Sequence, residues 1–299
     1  MSTNDDTELS LWAADRLHDI SELRFRVTRT LMSARSEFQH VAVVDTAGYG
    51  RMLFNDSAAM ISTRDEFIYH EMIAHVPMFV HPGIRRALVI GGGDGGTVRE
   101  LLRHPGLERV ELVEIDRLVV EACREHIPET AAALDDPRCE VIIADGKRFV
   151  AEAPDDRYDL VIVDSTDPAG PSVPLFGAEF YGDVHRVLGP RGIAIAQAES
   201  PSHEPAMQRR MLGLMGERFT RVQLYNYNNL IYPGGMWSFS YACKGDLCPV
   251  GDLDEARVAA SGLRFRYYSP AIHRAAFVHP QYQVDALAGL LSPWKQTGR

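Results

Sequence analysis

Four short apolar runs in the middle of this chain each end in acid. Ala87–Gly92 runs into Gly91-Gly92-Gly93-Asp94-Gly95-Gly96, and Val110–Val113 into Glu114-Ile115-Asp116. Cys139–Ala144 runs into Asp145-Gly146, and Asp159–Val163 into Asp164-Ser165-Thr166-Asp167-Pro168. If the runs are strands of one open α/β sheet, Asp94, Glu114, Asp145, Asp164 and Asp167 reach a common rim, because the ligand crevice of such sheets lies beyond the carboxyl ends of the strands. One acid after a strand is commonplace as the N-cap of the next helix. Five on one rim repel one another, which raises their pKa values or weakens the fold unless a cation offsets the repulsion. The pattern points to a crevice for cationic ligands, with solvated helix caps as the plainer reading.

The glycine-rich loop after the first run offers the tight turn and close backbone approach of nucleotide-binding folds. Glu114 stands about twenty positions beyond Asp94, where an acid takes the ribose hydroxyls of a bound nucleoside. Together they favour an adenosine-bearing ligand. A phosphate on the loop would be repelled by Asp94, so a nucleoside without phosphate fits better. S-adenosylmethionine carries a sulfonium cation, but also a carboxylate that Asp94 opposes. Its decarboxylated form presents only an ammonium, which Asp94 attracts. Charge therefore favours the decarboxylated nucleoside, and a methyltransferase using S-adenosylmethionine itself stays open as the alternative.

Such a rim needs a sheet to carry it. Beyond Phe67 the apolar runs Ala87–Gly92, Val110–Ile115, Cys139–Ala144, Asp159–Val163 and Gly192–Ala196 alternate with amphipathic stretches at Thr97–His104, Leu118–His126 and Ala178–Leu188. This alternation predicts a doubly wound α/β domain, a parallel sheet with helices on both faces. Phe67–Phe79 has its own apolar face (Ile68, Met72, Val76, Phe79) and reads as a helix ending before His81-Pro82. Met207, Met211 and Met215 follow helical core spacing. Before Phe67 the texture is short strand-like runs broken by turns: Phe38–Asp45, Arg51–Phe54 and Ala58–Ser62. Two domains are expected, an antiparallel β-domain over residues 1–66 and the catalytic domain over 67–299, whose tail from about Gly251 is partly helical.

Composition bounds the partners. The 299 residues are 45% hydrophobic, enough for a buried core, and hold 31 Lys plus Arg against 41 Asp plus Glu, a net charge of −10. An acidic balance argues against nucleic acid, whose binding rests on Lys and Arg. No apolar run is long enough for a membrane span, and the acidic Met1–Leu11 does not read as a secretory signal. Cys123, Cys139, Cys243 and Cys248 are too few for a disulfide framework. Cys243 and Cys248 have no neighbouring His or Cys to complete a metal site. A cytoplasmic globular protein without metal is expected.

Several segments together carry a resemblance. They are Ser36-Glu37-Phe38-Gln39, Arg64–Met72, Gly91–Gly96, Glu114-Ile115-Asp116, Asp164–Pro168 with Gly170-Pro171, Tyr232-Pro233, and Tyr267-Tyr268-Ser269-Pro270 with His273. From about Trp12 to the tail, the chain resembles the polyamine aminopropyltransferases, the spermidine synthases above all. The resemblance implies a Rossmann-like sheet of the S-adenosylmethionine-dependent methyltransferase kind, preceded by a small antiparallel β-domain. It implies that Gln39, His70, Gly91, Gly93, Asp94, Glu114, Asp145, Gly146 and Pro171 hold decarboxylated S-adenosylmethionine as co-substrate, with no prosthetic group. Within that set Glu114 would take the ribose, Asp145 the adenine amino group and Asp94 the aminopropyl ammonium. Asp164 would be the base, and Tyr69, Asp167, Gln197 and Tyr232 would line the amine pocket. The implied reaction moves the aminopropyl group to putrescine, giving spermidine and methylthioadenosine. Family members are homodimers or homotetramers.

This sequence departs from the family at Met60, where many members have Gln, at Thr63 in place of Glu, and at Asn228-Asn229-Leu230-Ile231, where Pro-Thr is frequent. The last of these segments borders the implied amine pocket, so agmatine, cadaverine or a longer polyamine stand beside putrescine as acceptors. A non-catalytic polyamine-binding protein is the alternative outside enzymes, and the presence of Tyr69, Asp164 and Asp167 speaks against it.

Overall fold

Alternation of apolar and polar side chains in the first sixty residues builds a five-stranded antiparallel sheet, in the computed structural model, that follows chain order. Its strands are β1 (Leu11–Leu17), β2 (Ser21–Arg35), β3 (His40–Thr46), β4 (Gly50–Asn55) and β5 (Ala58–Ser62). The structure describes residues 10–17, 20–168 and 170–294, with the side chain of Pro171 outside that set, so most of the Met1–Leu11 segment lies outside it. Two strands depart from the expected short runs. β1 was not anticipated, and β2 is a single 15-residue strand. Its run of Arg, Ser and Thr hides the pattern, because its solvent face carries the charge while Phe25 alone is fully buried. Asp15 of β1 accepts the backbone N–H of Ala59 at 3.0 Å, drawing β1 towards β5. Phe25, Val44, Met52, Phe54 and Ala59 form a small core under this sheet.

α1 (Glu66–Val80) leads into the second unit, where β6 (Arg86–Gly91), α2 (Gly96–Leu102), β7 (Arg109–Glu114), α3 (Arg117–His126), α4 (Pro128–Ala131), β8 (Cys139–Ile143), α5 (Gly146–Glu152) and β9 (Tyr158–Asp164) alternate. α6 (Ala178–Val187), β10 (Leu188–Gln197), α7 (Pro205–Gly216), β11 (Arg221–Asn228) and β12 (Met236–Cys243) complete the sheet. α8 (Glu255–Ala260), α9 (Pro270–Ala276) and α10 (Gln281–Ala286) make the tail. The strand order is β11-β12-β10-β9-β6-β7-β8. Alternate residues of the parallel strands feed two cores. Ala87, Val89, Leu112, Leu160 and Ile162 face the layer holding α1 to α3, whereas Leu88, Ile90, Val113, Val161 and Val163 face α5 to α7. Burial on both faces is why these strands read as unbroken apolar runs. The doubly wound, Rossmann-like plan stands, and Met211 and Met215 of α7 are buried in the second core.

Two expectations need correction. The sheet is not wholly parallel: β12 runs antiparallel to both β10 and β11, because Tyr232-Pro233-Gly234-Gly235 turns the chain back as a hairpin. α1 is not amphipathic, since every residue from Tyr69 to Val80 is buried. A helix enclosed on all sides loses its polar face. The tail locks onto α1 through Glu71, whose Oε1 accepts Arg266 N at 2.8 Å and whose Oε2 accepts Tyr267 N at 2.8 Å and Tyr268 N at 2.7 Å. Among the described residues, no helix is long and apolar enough to cross a membrane.

Candidate active site

The carboxyl ends of the parallel strands open on a cleft whose other wall is the N-terminal sheet. Tyr69, His70, Gly91, Gly93, Asp94, Glu114, Asp145, Gly146, Asp164, Asp167, Gln197 and Tyr232 all line it, joined by Gln39 from the loop before β3. Of the expected site residues, only the side chain of Pro171 falls outside the described set. Gly91 shows why the loop after β6 is glycine. It has φ +80°, and a Cβ there would lie 2.2 Å from the Asp164 carbonyl oxygen, so the two strand ends meet only without a side chain.

Asp164 ends β9 with a hydrogen bond on each oxygen: Tyr69 donates its hydroxyl to Oδ1 at 2.6 Å, and Thr97 donates to Oδ2 at 2.6 Å. Each carboxylate oxygen retains a further lone pair. Burial raises the Asp164 pKa above the usual carboxylate value, and the charge of Asp94 adds to the rise against His70, Thr97 and Tyr69. Tyr69 is held by edge contacts with Phe239, Tyr227 and Tyr232, at ring separations of 4.8, 5.6 and 6.3 Å.

The neighbouring acids are held differently. Asp94 accepts Gly96 N at 2.8 Å and stands 3.3 Å from His70 Nε2. Glu114 accepts Asp116 N at 2.9 Å. Burial, with Asp116 adding to it against backbone N–H donors, pushes Glu114 up to about 7. Asp116 caps α3 through Leu118 N at 3.0 Å, and its other oxygen takes Ser36 Oγ at 2.8 Å and Gln39 Nε2 at 2.9 Å. Gln39 is thereby fixed to the rim across the two sheets. Asp145 is exposed and caps α5, its Oδ1 accepting Lys147 N at 2.8 Å and Arg148 N at 3.3 Å. Capping thus accounts for one oxygen of Asp145 and does not account for Asp164.

Further along the cleft, Gln197 Nε2 bridges Asp167 Oδ1 at 2.9 Å and Glu199 Oε1 at 3.3 Å. Tyr232 donates its hydroxyl to the Met60 carbonyl at 2.7 Å, and Ile231 before it is seated in the core of the N-terminal sheet. The β11–β12 turn is fastened further by Asp65, which accepts Leu230 N at 2.8 Å.

Some residues of the site escaped the sequence reading. Glu199 is buried, with φ +64°, a left-handed conformation that costs a side-chain-bearing residue energy. Burial, then the Asp167 charge, raises it to about 8. Asp15 is buried at the cleft, and burial raises its pKa. Asn55 lines the same cleft with Oδ1 buried and unpartnered. Glu199 lies past a strand end, where Gln197-Ala198-Glu199 gave a signal only in hindsight; Asp15 and Asn55 sit in strands without one. Among the described residues no group of three or more His, Cys, Asp or Glu is arranged to hold a metal ion.

Comparison with known proteins gives a consistent picture. Residues 66–250 match the model of the spermine/spermidine synthase domain, and residues 12–62 match that of the spermidine synthase tetramerisation domain. A polyamine aminopropyltransferase of Moorella thermoacetica is 45% identical over 278 residues, 93% of this chain and 96% of that protein. One from Bacillus subtilis is 38% identical, covering 93% of this chain and 99% of its own length. A crystal structure of spermidine synthase in complex with the transition state analogue AdoDATO superposes with a TM-score of 0.90 at 35% identity, covering 93% of this chain and 94% of that one. That of the Thermotoga maritima spermidine synthase superposes at 0.87 with 33% identity, covering 93% and 94%.

Proposed function

The chain belongs to the spermine/spermidine synthase family, and from that premise we propose that putrescine is the acceptor, with Asp164 as the base that deprotonates it. The enzyme is an aminopropyltransferase that takes its aminopropyl group from decarboxylated S-adenosylmethionine. The observation that carries the residue assignment is the doubly hydrogen-bonded Asp164, half-buried in one cleft with Asp94.

An alkylamine has a pKa of about 10.4 and reaches the site protonated. Its ammonium gives a proton to Asp164, whose raised pKa makes it a better acceptor than an exposed carboxylate. The freed nitrogen lone pair attacks the propyl carbon beside the sulfonium. The carbon–sulfur bond breaks, its electrons pass to sulfur, and neutral methylthioadenosine leaves. Asp94 faces the aminopropyl ammonium, and Glu114 the ribose hydroxyls. Gln39, His70, Asp145 and Gly146, with Gly91, Gly93 and Pro171, complete the nucleoside side. Tyr69, Asp167, Gln197 and Tyr232 form the amine side, with Glu199 behind Gln197. Holding two cations within reach of one another is unfavourable, and the carboxylate rim offsets that repulsion.

Self-association as a homotetramer, or a homodimer within it, belongs to the same proposal. The match of residues 12–62 supports it, as do Leu11 and Trp12, exposed on β1. A cytoplasmic location is supported by four cysteines that are all free. The test is product analysis with decarboxylated S-adenosylmethionine against putrescine, cadaverine, agmatine and spermidine. Spermidine and methylthioadenosine, with the highest kcat/KM for putrescine, are expected. A higher kcat/KM for another amine overturns the acceptor, and methyl transfer from S-adenosylmethionine without aminopropyl transfer overturns the whole reading.

A further inference from the structure

Behind the cleft wall a file of buried charges alternates in sign, starting at Asp94 and running to the contact between α1 and α2. His70 is fully buried. Its Nδ1 is 2.6 Å from Glu66 Oε2, to which it donates a proton, while Nε2 stands 3.3 Å from Asp94 Oδ1, an ion-pair distance without an aligned hydrogen bond. Arg99 of α2 grips Glu66 with both arms of its guanidinium, Nη1 to Oε1 at 3.0 Å and Nη2 to Oε2 at 2.8 Å. Its Nε reaches Glu100 Oε1 at 2.9 Å. The ring also lies flat against the start of α2, where a Cβ on Gly96 would come within 2.1 Å of His70 Cε1.

We infer that Glu66 and Arg99 are positioning residues for aminopropyl transfer: acting through His70, they hold Asp94 where it receives the aminopropyl ammonium, and so set affinity for the nucleoside. The inference rests on the reading of Asp94 given above. Three features carry it. The Glu66–Arg99 fork is bidentate, which fixes orientation as well as charge. Gly96 leaves the imidazole one seat. The far ring nitrogen is buried and faces the Asp94 carboxylate, so whatever fixes the ring is transmitted to Asp94. Stability alone is a poor reason for the arrangement, since buried ion pairs are often no better than apolar packing.

The charges facing His70 are Glu66 from its own helix, Asp94 from the loop after β6, and Asp164 from β9, with Arg99 of α2 behind Glu66. Burial opposes the imidazolium, but Asp94 and Glu66 outweigh it and raise His70 to about 10. Burial likewise opposes ionisation of Glu66, yet His70 and Arg99 bring it down to about 2. A permanent cation therefore stands beside Asp94 before either substrate arrives.

The experiment combines steady-state kinetics of Glu66→Gln, Glu66→Asp and Asp94→Asn with nitrogen-15 NMR of the His70 ring in the wild-type enzyme. Glu66→Gln is expected to weaken nucleoside affinity about tenfold, the order of one charge-assisted hydrogen bond, with kcat at saturation and the amine KM little changed. Glu66→Asp recovers part of the loss, and His70 is an imidazolium at pH 8. A neutral His70 at pH 7 overturns the inference, and decides it even if Glu66→Gln does not fold. So does an unchanged nucleoside KM, or a fall in kcat and both affinities together. If Asp94→Asn leaves nucleoside affinity intact, the reading of Asp94 fails first; if it weakens affinity and Glu66→Gln does not, this inference alone fails.

Discussion

Glu114 and Glu199 both hold protons more tightly in the folded chain than a free carboxyl does, the first up to about 7 and the second up to about 8. Between the unfolded value of about 4.3 and those values the native state binds the extra protons, so raising pH through that window weakens the fold at these two sites. Glu66 has the opposite sign: its carboxyl is lowered, so its contribution is present above about 4.3 and is lost as pH falls towards 2. A ribose diol donates best to an ionised Glu114. Nucleoside binding is therefore expected to release a proton near pH 7, read by calorimetry in buffers of differing ionisation enthalpy, and Glu114→Gln is expected to abolish that release. On the proposed amine side, ionisation of Glu199 adds negative charge beside Asp167. The amine KM is expected to fall as pH rises through about 8, and an unchanged slope in Glu199→Gln would sink that assignment. Residues of this kind were only partly legible in the sequence. Asp94, Glu114, Asp145 and Asp164 announce themselves because an apolar run precedes each. Thr97 and Asp15 do not, because a hydroxyl on a helix and an acid in a half-solvated strand acquire meaning only from partners brought in by the fold.

The element that most shapes the proposed amine side is the β11–β12 turn, which closes on itself through Asn229 N to the Gly235 carbonyl at 2.8 Å and is fastened to the rest of the chain as well. Asp65, before α1, receives Leu230 N on one oxygen and Ser62 Oγ at 2.5 Å on the other. Ile231 fills the small N-terminal core, and the hydroxyl of Tyr232 reaches Met60. Asp65→Ala leaves the buried Ser62 hydroxyl unpaired and frees Leu230 N, and is expected to cost about 1–3 kcal/mol, measured by urea unfolding, with a larger rise in KM for amine than for nucleoside. Equal rises would show that the staple serves stability alone. Met60 and Asn228–Ile231, which depart from the family pattern, are thus partners in one joint between the sheets. The parallel strands and their helices were readable because burial on both faces makes continuous apolar runs. The hairpin was not, since Tyr225, Tyr227 and Trp237 alternate with Asn and Ser in a pattern that a loop also shows. β2 was missed for a related reason, its polar face masking its length.

Over the whole molecule, the sum of charges, −10, says little, and the placement of the acids says much. Two sheets meet along a cleft and share core, Val41, Val43, Leu53 and Ile61 of the first packing with the layer of α1 to α3; one sheet brings Asp94, Glu114, Asp145, Asp164 and Asp167 to the cleft, the other Asp15 and Asn55. The same N-terminal sheet matches the tetramerisation model and exposes Trp12 and Leu11 on β1. Light scattering is expected to give a multiple of the single-chain mass, and Trp12→Glu to shift the population towards smaller species; a wild-type monomer at micromolar concentration would exclude self-association through this face. The central claim remains the base. Its most direct test is single-turnover aminopropyl transfer by Asp164→Asn, alongside a binding measurement with decarboxylated S-adenosylmethionine. The rate is predicted to fall by about 10² or more while nucleoside affinity is little changed. A near-wild-type rate in the folded variant would contradict the account.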